Sequence, residues 1–235
     1  MSTAIVTGAS RGFGRALATE LASSGWNLVI DARDGSDLEA ASATIDEAGT
    51  GDVVAIPGDV TNPRHATLLV DAAIEAGGFS LLVNNASFLG PSPQPTVSEY
   101  PIDVLQEVLA TNLVAPLRLI QLSLPHLRAA GGAVVNVTSD AAVEGYEGWG
   151  GYGSSKAGLE QLSNVLAVEE PDITVYWLDP GDMNTRMHQE AFPDEDISDR
   201  PFPETRVPAV IRLLEERYPS GRYQAEDLLA METSP

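Results

Sequence analysis

A tyrosine and the only lysine of the chain stand four residues apart in the stretch GGYGSSKAGL, residues 150–159. Residues four apart lie on one face of a helix, so Tyr152 and Lys156 are predicted to stand side by side. A neighbouring ammonium stabilises phenolate and lowers a tyrosine pKa of about 10, which suits Tyr152 to exchange a proton with a substrate oxygen. The alternative is an accidental meeting of the two side chains on a surface helix.

Two further polar residues stand in apolar surroundings. Ser139 closes the run VVNVTS, thirteen residues before Tyr152. At the carboxyl end of a predicted strand, its hydroxyl can bond and polarise a substrate carbonyl, although serine is also an ordinary turn residue there. Asn112 lies within the helical stretch LATNLVAPL, where an exposed position or a local backbone bond is the plain explanation.

A glycine-rich turn, TGASRGFGRALA, separates the first predicted strand from the first predicted helix. Glycines in such a turn allow a tight bend, close approach of the backbone to a pyrophosphate, and close packing of helix on strand. Their spacing here is GxxxGxG, whereas the usual dinucleotide motif is GxGxxG, so a purely structural turn is the alternative.

Six short apolar runs alternate with longer amphipathic stretches. They predict strands buried on both faces at residues 3–7, 27–31, 53–57, 80–85, 133–139 and 173–178. A repeating β-α-β order predicts one α/β domain over residues 1–235, a Rossmann-type doubly wound parallel sheet with helices on both faces. The stretch from residue 221 onward is expected to add a final strand.

Two proline-rich stretches interrupt this alternation. Residues 89–101 contain four prolines and predict a surface loop. The acidic segment at about 186–208 is long for a connection, and we interpret it as a lid. Both follow predicted strands, at whose carboxyl ends an open α/β sheet binds its ligand.

Charge and composition exclude several functions. A net charge of −21 argues against a surface that follows nucleic-acid phosphates. No apolar run reaches the roughly 18 residues of a membrane helix, and strand-like sequence from Thr3 leaves no room for a signal peptide, so we expect a cytoplasmic protein without membrane contact. Without cysteine, disulfides and thiolate metal sites are excluded, and we predict no metal.

Five features, in this order and spacing, resemble the short-chain dehydrogenase/reductase family: T-G-x-x-x-G-x-G at 7–14, NNA at 84–86, Ser139, Y-x-x-x-K at 152–156 and PG at 180–181. The similarity runs from residue 3 to about 187. It implies hydride transfer with a nicotinamide cofactor that interconverts a carbonyl and an alcohol. It also implies a proton relay formed by Asn112, Ser139, Tyr152 and Lys156.

The cofactor-selecting stretch LVIDAR supports two interpretations. Asp31 could favour NAD by bonding a ribose 2′-hydroxyl, whereas Arg33 could accommodate a 2′-phosphate. In the family pattern the NAD-selecting acid matches Ala32, and members that prefer NADP resemble this chain in carrying basic residues at Arg11 and Arg33. We therefore favour NADP(H), with NAD(H) as the alternative.

The resemblance implies further cofactor contacts, with Lys156 bonding ribose hydroxyls and Thr185 holding the carboxamide. The implied set is Gly8, Ser10, Arg11, Gly12, Phe13, Gly14, Arg33, Asp59, Val60, Asn85, Ala86, Tyr152, Lys156, Pro180, Gly181, Met183 and Thr185. One position departs from the pattern: Ser87 stands where NNAG places a glycine.

An apolar wall for the substrate is predicted from side chains that flank the tyrosine and from the lid: Tyr146, Trp149, Met183, Met187 and Phe192. Such a wall suits a hydrophobic ketone, aldehyde or secondary alcohol. The alternative is that these side chains only pack the loops down.

The favoured function is an NADP-dependent oxidoreductase acting on a small carbonyl or alcohol. A non-catalytic dinucleotide sensor on the same fold is the alternative. A sugar-nucleotide epimerase or dehydratase would need a larger carboxyl-terminal domain than the roughly fifty residues after PG provide. We expect a homodimer or homotetramer, although the chain end lacks the V-D-G-G common in the family.

Overall fold

A seven-stranded sheet forms the centre of the protein in a computed structural model that describes residues 2–231. Its strands are β1 (Thr3–Val6), β2 (Asn27–Ala32), β3 (Val53–Pro57), β4 (Phe79–Asn84), β5 (Ala133–Val137), β6 (Thr174–Asp179) and β7 (Gly221–Gln224). They lie in the order β3-β2-β1-β4-β5-β6-β7, and every neighbouring pair is parallel. The predicted doubly wound parallel sheet is confirmed, and β7 is the expected final strand; residues 232–235 lie outside the described part.

Nine α-helices cover the sheet: α1 (Gly12–Ser23), α2 (Gly35–Glu47), α3 (Pro63–Ala76), α4 (Ile102–Leu109), α5 (Ala115–Ala130), α6 (Gly150–Glu169), α7 (Arg186–Ala191), α8 (Val207–Glu215) and α9 (Ala225–Ala230), within residues 2–231. Alternate residues of a strand point to opposite faces. In β1, Ala4 and Val6 belong to the core that also contains residues of α1, α2, α8 and α9, whereas Ile5 belongs to the core that contains residues of α3, α5 and α6. Each face of the sheet therefore has its own apolar core.

Strand β5 ends earlier than its sequence predicts. Its last residue paired with β6 is Val137, opposite Leu178. Ser139 keeps an extended backbone but caps the 3₁₀ turn Asp140–Ala142, accepting a hydrogen bond from Ala141 N–H. The strand predicted from the sequence is longer than β5 because the backbone stays extended at Ser139 after the hydrogen-bonded pairing with β6 has ended.

The stretch around Asn112 is helical but interrupted. A π-helical turn, Ala110–Val114, joins α4 to α5. Asn112 lies in this turn and is fully buried, so the alternative of an exposed position does not apply. Isolated π-turns are rare and often occur at functional sites.

By length and composition alone, the continuous helical run Ile102–Ala130 is apolar enough to cross a membrane. In the fold, α5 packs against β4 and α3. Leu119, Ile120 and Leu127 are buried in the core on that face of the sheet. One face of this helical run is therefore buried against the sheet.

The segment interpreted as a lid is more regular than its composition indicates. It contains α7, the 3₁₀ turn Pro203–Thr205 and the beginning of α8. Thr185 caps α7 by accepting a hydrogen bond from the His188 N–H at 3.2 Å. Capping by a threonine hydroxyl stabilises a short helix even within a proline-rich, acidic stretch.

Candidate active site

A cavity of about 580 Å³ lies at the carboxyl ends of the strands. The glycine turn after β1 and the loops after β4, β5 and β6 all contribute to its lining. Strand order reverses between β1 and β4, and such a switch point is where open α/β sheets bind dinucleotides. Its volume falls within the range of ligand sites.

The glycine turn is shaped by close backbone approach. Gly8 has φ +67°, and a Cβ added there would lie 2.8 Å from the Ala86 Cα. A Cβ added to Gly14 would lie 2.3 Å from the Asn85 Nδ2 and 2.5 Å from the Gly8 carbonyl oxygen. Asn85 Nδ2 itself donates to the Gly8 carbonyl at 3.1 Å. Side chains at Gly8 and Gly14 would therefore displace the turn from this position. A turn that glycines keep this tight fits a site for a dinucleotide pyrophosphate.

Asp31 has structural partners. Its carboxylate is 1% exposed, accepts a hydrogen bond from Gly8 N–H at 2.8 Å, and lies 2.9 Å from His65 Nε2. Arg33 and Arg11 are exposed at the edge of the cavity, and the Arg11 ion pair with Asp37 is 3.8 Å long between half-exposed groups. Exposed pairs of this kind are weak. The two guanidinium groups are thus more available to a ligand than Asp31.

Asp59 and Val60 of the predicted cofactor set also line the cavity. Asp59 accepts hydrogen bonds from Thr61 N–H at 2.8 Å and from the Thr61 hydroxyl at 2.7 Å, while Val60 is buried beside it. Arg15 lines the same end of the cavity. The sequence analysis did not predict this residue as a cofactor contact, because it follows the glycine motif at a position that belongs to no recognisable pattern.

Tyr152 and Lys156 lie together in α6, and both line the cavity. Lys156 is 2% exposed; its Nζ donates to the Val137 carbonyl at 2.8 Å and lies 5.5 Å from the centroid of the Tyr152 ring. Burial lowers the pKa of Lys156 to about 8. The sole lysine therefore stands next to the tyrosine, as predicted.

The pKa of Tyr152 departs from expectation. Burial raises it to about 12; a hydrogen bond with the Ser87 side chain lowers it, and the carboxylates of Asp179 and Asp140 raise it further. We expected Lys156 to lower this pKa below its usual value, and that expectation is wrong for the protein alone. Desolvation disfavours both phenolate and ammonium, so burial moves the two pKa values apart, that of Tyr152 upward and that of Lys156 downward.

Ser139 and Asn112 have their own partners. The Ser139 hydroxyl donates to Asp140 Oδ1 at 2.8 Å while remaining half-buried in the cavity wall. Asn112 Oδ1 accepts from Phe88 N–H at 2.8 Å, and its Nδ2 donates to Ser155 Oγ at 2.9 Å. Among residues 2–231, the π-turn contributes Thr111 to the cavity lining but not Asn112. The Asn112 side chain ties the loop after β4 to α6 from behind the site.

The loop after β6 forms the other wall. Gly181 has φ +72°, and its N–H donates to Asp179 Oδ1 at 2.9 Å. The Thr185 hydroxyl oxygen accepts a hydrogen bond from the His188 N–H of α7, and the hydroxyl proton remains available for donation to a ligand. The predicted cofactor residues on the cavity lining are Gly8, Ser10, Arg11, Gly12, Phe13, Arg33, Asp59, Val60, Asn85, Ala86, Tyr152, Lys156, Pro180, Gly181, Met183 and Thr185. Of the predicted set only Gly14 stands behind the lining, where it allows α1 to approach.

The predicted substrate wall divides into two layers. Trp149 and Met187 line the cavity, whereas Phe192 and Tyr146 support Trp149 from behind, with ring centroids 5.8 Å and 6.4 Å from it. The Trp149 ring also meets Tyr152 edge-on at 5.7 Å. Phe192 and Tyr146 therefore pack against Trp149 and hold the loops down, and the substrate wall stays a prediction.

His188 is a lining residue that the sequence did not reveal, because it belongs to no motif. Its Nδ1 lies 3.7 Å from Asp182 Oδ1, and its ring centroid lies 4.9 Å from that of Phe192. Its buried Nε2 has no hydrogen-bond partner within residues 2–231. His188 stands three residues after Thr185, in the first turn of α7, and this spacing is the signal in the sequence that could have indicated its position near the site.

Comparison with known proteins agrees with this architecture. The family described as short chain dehydrogenase matches residues 2–196. The short chain dehydrogenase asqE of Emericella nidulans is 40% identical over 174 residues, 71% of this chain and 64% of its own length. The 3beta-hydroxysteroid dehydrogenase 1 of Eggerthella lenta is 34% identical over 200 residues, 82% of this chain and 74% of its own length. This chain thus spans less than two thirds of the length of asqE.

A solved structure is similar over nearly the whole chain. A short chain dehydrogenase of Shigella flexneri, solved in complex with NADP, is 27% identical with a TM-score of 0.89, covering 96% of this chain and 97% of that one. The glycine turn, the sheet order and the tyrosine–lysine pair thus occur in a chain that matches the family in sequence and in fold. The protein belongs to the short chain dehydrogenase/reductase family.

Proposed function

We propose that this protein is an NADP(H)-dependent oxidoreductase that interconverts a ketone or aldehyde and the corresponding alcohol. The observation that carries the proposal is the cavity that has the glycine turn at one end and the buried Tyr152–Lys156 pair at the other. A dinucleotide bound along this cavity would supply or accept the hydride. NADP is present in the similar Shigella flexneri structure, which supports a nicotinamide cofactor here.

In the reducing direction, Tyr152 donates its hydroxyl proton to the carbonyl oxygen as negative charge develops there. Its pKa of about 12 keeps it protonated near neutral pH, the state that this step requires. Ser139 turns its hydroxyl from Asp140 to the substrate oxygen and holds it beside the tyrosine. Oxidation of an alcohol needs the phenolate, so its rate is expected to rise with pH.

Lys156 bonds a ribose hydroxyl and places positive charge near Tyr152 once the tyrosine has lost its proton. A lysine ammonium has three donors, so it can keep its bond to the Val137 carbonyl while it binds the ribose. Trp149 and Met187 exclude water from the reacting oxygen and favour an apolar substrate. We further propose that the protein acts in the cytoplasm, as a homodimer or homotetramer, with the segment at 186–208 covering the bound substrate.

The test of the mechanism is Tyr152→Phe with Tyr100→Phe as matched control. The Tyr100 hydroxyl is buried without a partner within the described residues and does not belong to the cavity lining. We expect Tyr152→Phe to lower kcat at least a hundredfold over a panel of carbonyl substrates, with the NADPH Kd within about twofold, because only proton transfer is lost. Retained turnover in Tyr152→Phe contradicts the mechanism. A wild-type protein that binds NADPH and reduces nothing on the panel supports the sensor alternative.

The proposed preference for NADP is tested by Arg33→Ala. The control is Arg64→Ala, which removes an exposed arginine of α3 that does not line the cavity. Removal of a guanidinium that pairs with a 2′-phosphate should weaken NADPH binding at least tenfold and leave NADH binding nearly unchanged. Fluorescence titration of both cofactors gives the two Kd values. Unchanged NADPH affinity in Arg33→Ala assigns the phosphate to another group, with Arg11 and Arg15 as the next candidates.

A further inference from the structure

The buried pair formed by Asp31 and His65 stands beside the end of the cavity that Arg33 lines. Asp31 also belongs to the cavity lining, but it is 1% exposed, whereas Arg33 is exposed. An acid at the end of the second strand is the group that bonds the ribose 2′-hydroxyl of NAD. The same negative charge beside a 2′-phosphate would oppose NADP binding. A chain that carries both residues therefore needs a device that restrains the carboxylate.

Both oxygens of the Asp31 carboxylate have partners in the protein. Oδ1 accepts a hydrogen bond from Gly8 N–H at 2.8 Å, and Oδ2 lies 2.9 Å from His65 Nε2. A carboxylate only accepts, so His65 Nε2 carries the hydrogen of this bond. His65 is 5% exposed and does not belong to the cavity lining. The histidine therefore reaches the carboxylate from outside the ligand cavity.

The loop after β3 leaves room for the imidazole ring. A Cβ added to Gly58 would lie 2.3 Å from His65 Nδ1 and 2.6 Å from its Cε1. Gly58 N–H donates to the Ala32 carbonyl at 2.9 Å, which holds this loop beside the end of β2. His65 itself lies in the first turn of α3. The ring is thus enclosed, and the pair joins the glycine turn, the end of β2 and α3.

We propose that His65 is a positioning residue for cofactor selection, which holds the Asp31 carboxylate on the glycine turn and keeps it from acting on the ribose end of the cofactor. This inference rests on the proposed function, in which NADP(H) is the cofactor and Arg33 meets its 2′-phosphate. A buried carboxylate with a partner on each oxygen needs no hydrogen bond from a ligand. An acid at the end of β2 is then compatible with NADP(H).

Loss of the His65 donor changes which cofactor the carboxylate favours. Without it, Oδ2 is a charged acceptor that has lost its hydrogen bond, and such a group is costly when buried. A ribose 2′-hydroxyl can supply the missing donor, whereas a 2′-phosphate brings further negative charge. Removal of His65 should therefore favour NADH over NADPH, and a substitution that keeps a donor should not.

The test measures the Kd values of NADPH and NADH by fluorescence titration. His65→Leu removes the donor, His65→Gln keeps an amide N–H for Asp31, and His126→Leu on α5 is the matched control, since His126 does not belong to the cavity lining. We expect the ratio of the NADPH Kd to the NADH Kd to rise about tenfold in His65→Leu, the effect of one hydrogen bond to a charged group. His65→Gln and His126→Leu should stay within threefold of wild type. A ratio within threefold in His65→Leu, whether both cofactors weaken together or neither does, marks a merely structural role and overturns the proposal.

Asp31→Asn, alone and combined with His65→Leu, tests whether the carboxylate carries the effect. We expect the single variant to keep the ratio within threefold of wild type, because His65 already restrains the charge. The double variant should return the ratio of His65→Leu to the wild-type value, because no charge is left to oppose the phosphate. A ratio that falls more than threefold in Asp31→Asn shows that the carboxylate acts on the phosphate despite His65 and overturns the proposal, also where His65→Leu does not fold. A double variant that keeps the full shift of His65→Leu overturns it as well.

These titrations need no substrate, which separates the inference from the proposed function. A wild type that turns over none of the carbonyl panel contradicts the oxidoreductase, and a wild type that binds NADH more tightly contradicts the proposed cofactor. The change in the ratio between wild type and His65→Leu is measured in either case. Its absence contradicts the role of His65 alone.

Discussion

Lys156 shows at the scale of one residue how a group proposed to act in catalysis can lower the stability of the folded protein. An ammonium that is 2% exposed, with one backbone carbonyl as its protein partner, has lost most of its hydration. The shift of its pKa from 10.5 to about 8 expresses that loss. At about 1.4 kcal/mol per pKa unit, the charged lysine costs the folded protein about 3 kcal/mol below pH 8.

Lys156→Met is therefore expected to be inactive and more stable than wild type by about 1–2 kcal/mol at pH 7, because the unpartnered Val137 carbonyl offsets part of the gain. The sign follows from proton binding. Below about pH 8 lysine is charged in both folded and unfolded states; between about 8 and 10.5 only the unfolded state holds the proton, so wild type gains stability as pH rises. Urea unfolding at pH 7 and pH 10 should show the difference between the two proteins shrinking. A difference that grows with pH contradicts this account.

At the same position, Lys156→Arg keeps the positive charge but replaces the compact ammonium with a planar guanidinium. A planar guanidinium is bulkier than an ammonium and cannot place three donors around one point. We expect at least a tenfold loss of kcat with the ratio of NADPH to NADH affinity unchanged, measured with the best substrate of the panel. Near-normal turnover in this variant refutes a specific role for the ammonium.

At the scale of elements, the glycine turn and α1 form one unit with the loop after β4. Asn85 donates from its Nδ2 to Thr7 and Gly8 carbonyls at 2.8 Å and 3.1 Å, and Gly14 leaves the space in which this amide lies. The π-turn makes a second link, since Asn112 holds the same loop at Phe88. Cofactor end and catalytic end are therefore joined through one loop, residues 85–88.

Gly14→Ala tests that unit, with Gly35→Ala at the start of α2 as control. The added methyl of Gly14→Ala meets backbone and amide atoms at 2.5 Å or less and has to displace Asn85 or the turn, whereas that of Gly35→Ala meets the Pro57 side chain at an ordinary 3.5 Å. We expect Gly14→Ala to weaken NADPH binding at least tenfold and to lower the free energy of unfolding by about 1–3 kcal/mol. Gly35→Ala should stay within about 1 kcal/mol of wild type. Equal effects of the two variants contradict the packing role of Gly14.

At the scale of the whole molecule, a chain of net charge −21 has to bind an anionic cofactor. Long-range repulsion is unfavourable to that encounter, and it falls off within a Debye length of about 8 Å at physiological salt. Arg11, Arg15 and Arg33 line the adenosine end of the cavity. These arginines therefore provide, at the site itself, the attraction for an anionic cofactor that the negative overall charge does not provide.

The sequence by itself determined the order of strands and helices, the glycine turn, and the pairing of Tyr152 with Lys156. These depend on local periodicity and on spacing along one helix, which the chain encodes directly. Composition hid the short helix α7, because acidic residues and prolines resemble a loop until the Thr185 cap is seen.

Only the tertiary structure decided what each polar side chain contacts. Asp31 and Arg33 are two residues apart in sequence, yet one is buried against Gly8 and His65 while the other is exposed at the cavity. The pKa of Tyr152 likewise depends on burial and on carboxylates brought from β5 and β6. Asn112 bonds Ser87 across 25 residues of chain and Ser155 across 43, and such contacts arise from the packing of elements, which no local pattern records.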